Sequence, residues 1–266
     1  MKKTSLLPVG RSKKNPVNKS RSKKTSLWVK RAFIFAFSLA MIFSITSIIV
    51  VGYVANYIVS YTNGDLAIDL EDYKLDQSLT SFVYAYDKNG KEAEYARLHG
   101  EENRIWVNIE QMGEFIPKAF VSLEDKRFYD HAGVDWYRFT SVFVKYNFSQ
   151  GGSTITQQLI KNLTLEKDVT AVRKFREIVT ALNLEKNYSK ESILEAYLNT
   201  LYLGNSCYGV QTASETYFGK SVDELNLAEA ACIAAITQAP FTYDPLYNPE
   251  NNKHRQEYCL DQMLEQ

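Results

Sequence analysis

The chain has 266 residues, with 31 basic and 31 acidic side chains, a 45% hydrophobic share and three cysteines. That apolar share excludes an intrinsically disordered protein, and three cysteines are too few for a disulfide-stapled miniprotein. The balanced charge hides an asymmetry: all eleven charges before Asp65 are basic, leaving 20 basic against 31 acidic residues afterwards, a net of −11.

Residues 1–31 form the basic piece, from Lys2 and Lys3 to Lys30 and Arg31, and their Ser, Asn and Pro content reads as a disordered tail. A cationic arm of this kind can bind nucleic acid. Membrane topology and anionic headgroups account for the charge more simply, so no nucleic-acid partner is expected. From Ala32 to Gly64 no residue is charged, a run of 33. A membrane-spanning helix needs about 20 apolar residues, and residues 32–60 are read as one, with Trp28, Tyr53 and Tyr57 as interfacial anchors. A cleaved signal peptide is the alternative, but its apolar stretch is about 7–15 residues, and no small-x-small cleavage site follows. The positive-inside rule places the tail in the cytoplasm and everything beyond the span outside the cell.

Residues 61–112 read as a membrane-proximal linker with a β-hairpin. The run Ser81–Tyr86 and the run Lys91–Leu98 flank Asn89-Gly90, a dipeptide that favours tight hairpin turns. After Gly113 the apolar spacing becomes helical. Helices are predicted at about Pro117–Arg127, Trp136–Asn147, Ser153–Asn162, Val169–Asn187, Lys190–Leu203, Gly209–Phe218, Val222–Thr237 and Glu250–Glu265. Ser189 and Ser221 are candidate N-caps. The fold class is mainly α, with a compact domain over 113–249 and a last helix over 250–266. Cys207, Cys232 and Cys259 lie beyond the span, and no C-x-x-C or Cys/His cluster suggests zinc or redox chemistry.

Three clusters carry chemistry. In Glu124-Asp125-Lys126-Arg127-Phe128-Tyr129-Asp130-His131-Ala132-Gly133, two carboxylates, an aromatic pair and a histidine fall at a helix end. A carboxylate hemmed by aromatics can serve as general acid or base; the plain alternative is a solvated charged face. In Gly151-Gly152-Ser153-Thr154-Ile155-Thr156-Gln157-Gln158-Leu159-Ile160-Lys161-Asn162, two glycines lead into Ser153 as N-cap, and the free amides of the first turn suit an anion. Thr154, Gln158 and Lys161 share a face there; an ordinary capped helix is the alternative. In Arg173-Lys174-Phe175-Arg176-Glu177, the apolar stripe Val172, Phe175, Val179, Leu182 leaves Glu177 on the opposite face between two cations. Its plain version is an exposed i,i+4 ion pair. Two acids kept in different surroundings is the arrangement that sugar chemistry uses.

These blocks resemble glycosyltransferase family 51, the peptidoglycan glycosyltransferases, found as monofunctional enzymes and as modules of class A penicillin-binding proteins. The resemblance runs from about Tyr84 onwards. It rests on Glu124–Asp135, Gly151–Asn162, Arg173–Glu177, Lys190–Asn199, Tyr217–Lys220 and Gln238-Ala239-Pro240 in that order. It implies a lysozyme-like α fold behind a single transmembrane helix, with an apolar jaw around Trp136, Phe139, Val142, Phe143 and Phe148. The implied reaction polymerises lipid II into β-1,4-linked glycan strands at the outer face of the cytoplasmic membrane, inverting the anomeric centre and releasing undecaprenyl diphosphate.

The resemblance implies Glu124 as the base on the acceptor hydroxyl and Glu177 as a catalytic carboxylate near the donor side that assists departure of the lipid pyrophosphate, with a divalent cation, Mg²⁺, as cofactor. Lys161, Arg173 and Lys174 would neutralise the pyrophosphate. Ser153, Thr154, Gln157 and Gln158 would contact sugar or phosphate oxygens, and Asp125, Phe128 and His131 would shape the pocket. Implied partners are lipid II, the growing lipid-linked strand, the membrane and other wall-synthesis or division proteins. Two departures stand out: Ser141 where an arginine is common, for which Arg138 or Lys145 could substitute, and Ser206 where a glycine is usual. The helix around His254-Arg255 resembles the lead into a transpeptidase, whose S-x-x-K, S-x-N, K-T-G set is missing here, so the chain reads as a piece of a longer protein. A glycan hydrolase using Glu124 as acid, and a non-catalytic scaffold for wall synthesis, are the rival readings. The hydrolase would not need the gathered cations, and the scaffold would tolerate Glu124→Gln.

Overall fold

Helix α1 runs over Lys19–Thr62, thirteen residues earlier than the charge-free stretch begins. The basic segment 19–31 contains neither Gly nor Pro, and Lys, Arg and Leu are good helix formers, so the helix propagates backwards from the apolar run. Residues 1–18 of the tail lie outside the described residues. Within α1 the 28 residues Leu27–Val54 are long and apolar enough to cross a membrane; at 1.5 Å per residue they span about 42 Å, against a hydrocarbon core of about 30 Å. The hydroxyls of Ser38, Ser44 and Thr46 donate to the carbonyls of Ile34, Ala40 and Ile42 at 2.9–3.0 Å. These three hydroxyls are thus satisfied within the helix, which lowers the cost of placing them in an apolar surrounding.

This computed structural model describes residues 19–62, 68–75, 80–86, 88–98, 100, 103–138, 152–164 and 171–266. The chain divides into two units, 1–61 and 62–266. In the second, α2 (Leu70–Leu75) precedes the antiparallel hairpin β1 (Ser81–Tyr86) and β2 (Glu92–Leu98), which closes around Asn89-Gly90 with a bulge between Val83 and Tyr84. The expected hairpin is present. A second pair, β3 (Asn103–Arg104) alongside β4 (Cys207–Tyr208), is parallel and only two residues long, too short to leave a periodic trace in the sequence.

The remaining helices are α3 (Phe115–Glu124), α4 (Ile155–Thr164), α5 (Ala171–Asn187), α6 (Lys190–Thr200), α7 (Val210–Phe218), α8 (Leu227–Ile236) and α9 (Pro249–Leu264). All but one of the expected helices are found with shifts at their ends; apart from Trp136–Arg138, the expected helix Trp136–Asn147 lies outside the described residues, as do Phe139, Val142, Phe143 and Phe148 of the jaw, Ser141 and Lys145. One expected helix is divided. Ser221 caps only a short 3₁₀ turn over Val222–Glu224, Leu225 is extended, and α8 starts afresh from Asn226. The Asn226 side chain accepts from the Glu229 amide while the Glu229 carboxylate accepts from the Asn226 amide, both at 3.0 Å.

Helix α8 is the centre of the core. Ala230, Ala231, Ile233, Ala234, Ala235 and Ile236 are fully buried, and the small alanines let α3 and α9 lie against it. Helix α4 packs on α5 and α6, and Phe120 of α3 meets Tyr197 of α6 edge to face at 6.4 Å. Asn199, fully buried on α6, pairs with both the amide (3.0 Å) and the carbonyl (2.8 Å) of Val107, tying the segment after β3 to the helical body. Ser206 stands in the left-handed region at φ 59°. A glycine adopts that conformation without cost, whereas a residue with a Cβ gives up about 1 kcal/mol. All three cysteines are buried and free. Burial pushes the Cys232 thiol up to about 11 and the Cys259 thiol to about 12.

Candidate active site

Glu124 is the last residue of α3, and the backbone leaves the helix at Asp125 (φ −152°, ψ 73°). The Arg138 guanidinium donates to the freed Glu124 carbonyl at 2.7 Å, which fixes the helix end. The Glu124 carboxylate meets donors from three elements. Gln158 of α4 donates its amide to Oε2 at 3.1 Å, Thr237 after α8 donates its hydroxyl to Oε1 at 2.9 Å, and Arg255 of α9 reaches Oε1 at 3.3 Å. These polar donors, rather than the aromatic wall expected from the sequence, surround the carboxylate. Phe128 is fully buried in the core, edge-on to Tyr129 and His131, and Lys190 lies 4.3 Å over its ring.

The Gln158 amide is itself oriented. Tyr197 donates its hydroxyl to Gln158 Oε1 at 3.0 Å, so the amide NH₂ faces Glu124. Burial, and then the carboxylates of Glu124 and Asp125, hold the Tyr197 phenol well above its ordinary range, so it stays a donor.

Asp125 turns inward and is 1% exposed. Its Oδ2 accepts from His131 Nε2 and from the Ile155 amide, each at 3.0 Å. The start of α4 is therefore occupied by a carboxylate of the protein itself. The residue that caps it is Thr154 rather than the expected Ser153: the Gln157 amide donates to Thr154 Oγ1 at 3.2 Å, and Thr154 N donates to Gln157 Oε1 at 3.0 Å. The Thr154 hydroxyl donates to the Gly133 carbonyl at 2.6 Å. Thr154 and Gln157 are buried, so with Asp125, Phe128 and His131 they lock the first two motifs together from within and turn few polar atoms outward. Gly133, at φ 85°, lets the α5 backbone close on this turn; a Cβ there would stand 2.6 Å from the Ala181 carbonyl oxygen.

Glu177 departs most from its expected place. Among the described side chains of α5, those of Glu177, Val179, Thr180, Ala181 and Leu184 are buried, while Leu182 is 39% exposed. The inward face therefore follows 177, 180, 181 and 184, and Glu177 sits on it, 5% exposed. A buried carboxylate requires paired charge, and two cations from its own helix supply it. Arg173 meets Oε2 at 3.1 Å and Lys174 meets Oε1. Lys174 also donates to the Ser153 hydroxyl at 2.7 Å, which joins the second and third motifs. Gln158 is thus brought to Glu124, Ser153 to the Glu177 cluster, and Lys161 stands exposed on α4.

Tyr197, Thr237 and Arg255 received no site role from the sequence. Each lies within or beside a block that resembles the family, but nothing in its spacing relates it to Glu124. Below the site, Asp135 accepts from Arg127 at 2.6 Å and from the Arg138 amide at 2.9 Å. Burial raises its pKa, yet these donors outweigh that and hold it below the usual carboxylate range.

The transglycosylase family matches residues 91–264. Penicillin-binding protein 1F of Bacillus subtilis is 44% identical over 184 residues, 68% of this chain and 25% of that protein. Penicillin-binding protein 1A of Aquifex aeolicus is 41% identical over 207 residues, covering 74% and 28% of the two chains. A crystal structure of penicillin-binding protein 1A from Haemophilus influenzae aligns at 26% identity with a TM-score of 0.40, over 71% of this chain and 19% of that one. The chain spans about a quarter of the length of the curated relatives.

Proposed function

The chain belongs to the transglycosylase family, and from that premise we propose that it is a peptidoglycan glycosyltransferase that polymerises lipid II. The observation that carries the reading is the unlike surroundings of two carboxylates: Glu124, partly exposed and hydrogen-bonded from three elements, and Glu177, buried against two cations. Such a pair divides the work of sugar transfer.

Glu124 takes the proton from the 4-hydroxyl of the acceptor sugar as that oxygen bonds to the anomeric carbon of the donor. The bond from that carbon to the diphosphate oxygen breaks, and its electron pair leaves with undecaprenyl diphosphate. Attack from the face opposite the leaving group inverts the centre and gives the β-1,4 link. Arg173, Lys174 and Lys161 offset the charge that develops on the leaving diphosphate. Glu177, with both oxygens committed to Arg173 and Lys174, sets the position of those cations.

The described residues do not fit the divalent cation. Among them no three His, Cys, Asp or Glu side chains converge on a point, and both oxygens of Glu177 already face cationic nitrogens. Helix α1 anchors the enzyme in the leaflet that holds its lipid-linked substrates, with the basic tail in the cytoplasm and residues after the span outside. Other wall-synthesis or division proteins are the partners such an enzyme would meet.

The test is polymerisation by the purified chain in detergent with labelled lipid II, products resolved on a gel. A ladder of glycan strands is expected from the wild type and none from Glu124→Gln. Folded wild type that makes no ladder beside an active control enzyme would overturn the reading.

A further inference from the structure

The acceptors on Glu124 are unequally occupied. A carboxylate oxygen offers two lone pairs. Two donors stand at Oε1, the Arg255 guanidinium at 3.3 Å and the Thr237 hydroxyl at 2.9 Å. On Oε2 one is met, by Gln158 at 3.1 Å, and among the described residues no second donor reaches it. A base must present a lone pair to the proton it takes, and Oε2 is the oxygen that has one.

Arg255 is built to hold this arrangement. Its Nε donates to the Ala235 carbonyl in the last turn of α8 at 3.1 Å, and its guanidinium lies 5.4 Å from the Tyr243 ring centre. The side chain is 17% exposed, and its planar head is therefore fixed on three sides. Thr237 is the weaker claimant on Oε1, because its single hydroxyl proton is shared with the Ala234 carbonyl at 2.7 Å. Resting on the glycosyltransferase reading above, we propose that Arg255 is a positioning residue that engages Oε1 of Glu124 and so assigns proton transfer to Oε2. The acceptor hydroxyl then approaches from the Oε2 side, its proton passes to Oε2, and the ion pair at Oε1 keeps the carboxyl from rotating to offer the wrong oxygen. The C-terminal helix α9, 131 residues away in sequence, becomes part of the catalytic machinery.

The experiment compares steady-state lipid II polymerisation by wild type, Arg255→Ala and Arg255→Lys, with thermal unfolding of each. Loss of a positioning contact costs on the order of 10²-fold in turnover, so kcat of Arg255→Ala should fall by about that factor with KM within about twofold of wild type. Arg255→Lys should recover part of the loss, and millimolar guanidinium added to Arg255→Ala should restore activity. A role confined to packing would not respond to free guanidinium. Wild-type kcat in folded Arg255→Ala overturns the proposal, as does a loss that neither guanidinium nor lysine repairs. If Arg255→Ala does not fold, Arg255→Lys decides: lysine keeps the charge but cannot hold the Ala235 carbonyl and Oε1 together, so a fall in kcat of about tenfold with KM unchanged supports the assignment of Oε1, and wild-type kcat overturns it. Wild type that forms no polymer is a separate outcome, and strikes the function reading itself.

Discussion

Glu124 and Glu177 are both glutamates in short charged motifs, yet the protein supports them in opposite ways. The partners of Glu177 are three and four residues back on the same helix, whereas those of Glu124 come from 34, 113 and 131 residues away. Glu177 is buried with its counter-charges built in, so its environment forms as soon as α5 does. Glu124 acquires its environment only when α4, α8 and α9 have closed around the end of α3. A locally supported acid suits a fixed electrostatic task, and one held by tertiary structure suits a proton transfer that depends on orientation.

Substitutions can break this contrast, and the largest effect belongs to Glu124. Glu124→Gln keeps the shape and removes the base, and a general base contributes about 10²–10⁴-fold; gel-resolved polymerisation should show a turnover loss in that range while the variant remains folded. Gly133→Ala drives a Cβ to 2.6 Å from the Ala181 carbonyl at a positive φ. Overpacking and left-handed strain together should cost about 3 kcal/mol, read in urea unfolding. Glu177→Gln leaves Arg173 and Lys174 without their counter-charge, and should cost about 1–2 kcal/mol by the same measurement. Tyr197→Phe removes the donor that orients Gln158, with an expected loss of about 1 kcal/mol and a fall in turnover of less than about tenfold. At the small end, Ser206→Gly relieves a left-handed serine and should stabilise by about 0.5–1 kcal/mol, seen as a raised thermal midpoint.

The same contrast explains what could be read in the sequence. The helix over the apolar run, the hairpin at Asn89-Gly90, the Ser189 cap and the helices of the second unit all follow from contacts within a few residues. Glu177 was legible as an acid beside Arg173 and Lys174, but not as a buried one. The stripe Val172, Phe175, Val179 and Leu182 follows apolarity, while the inward face carries Glu177 and Thr180, Glu177 because Arg173 and Lys174 balance its charge there. Spacing points to Ser153 as the cap, one residue before the actual one, because it does not register the reciprocal pair that Thr154 and Gln157 form. Arg255 and Thr237 were invisible as site residues, since only the packing of α8 and α9 on α3 brings them to Glu124.

The division of labour between the two glutamates is tested most directly by initial rates against lipid II concentration for wild type, Glu124→Gln and Glu177→Gln. Glu124→Gln should lose kcat with KM nearly unchanged, because its proton transfer occurs only in the transition state. Glu177→Gln should raise KM as well as lower kcat, because the cations it positions meet the diphosphate in the bound state too. The same kinetic profile in both variants would contradict the account.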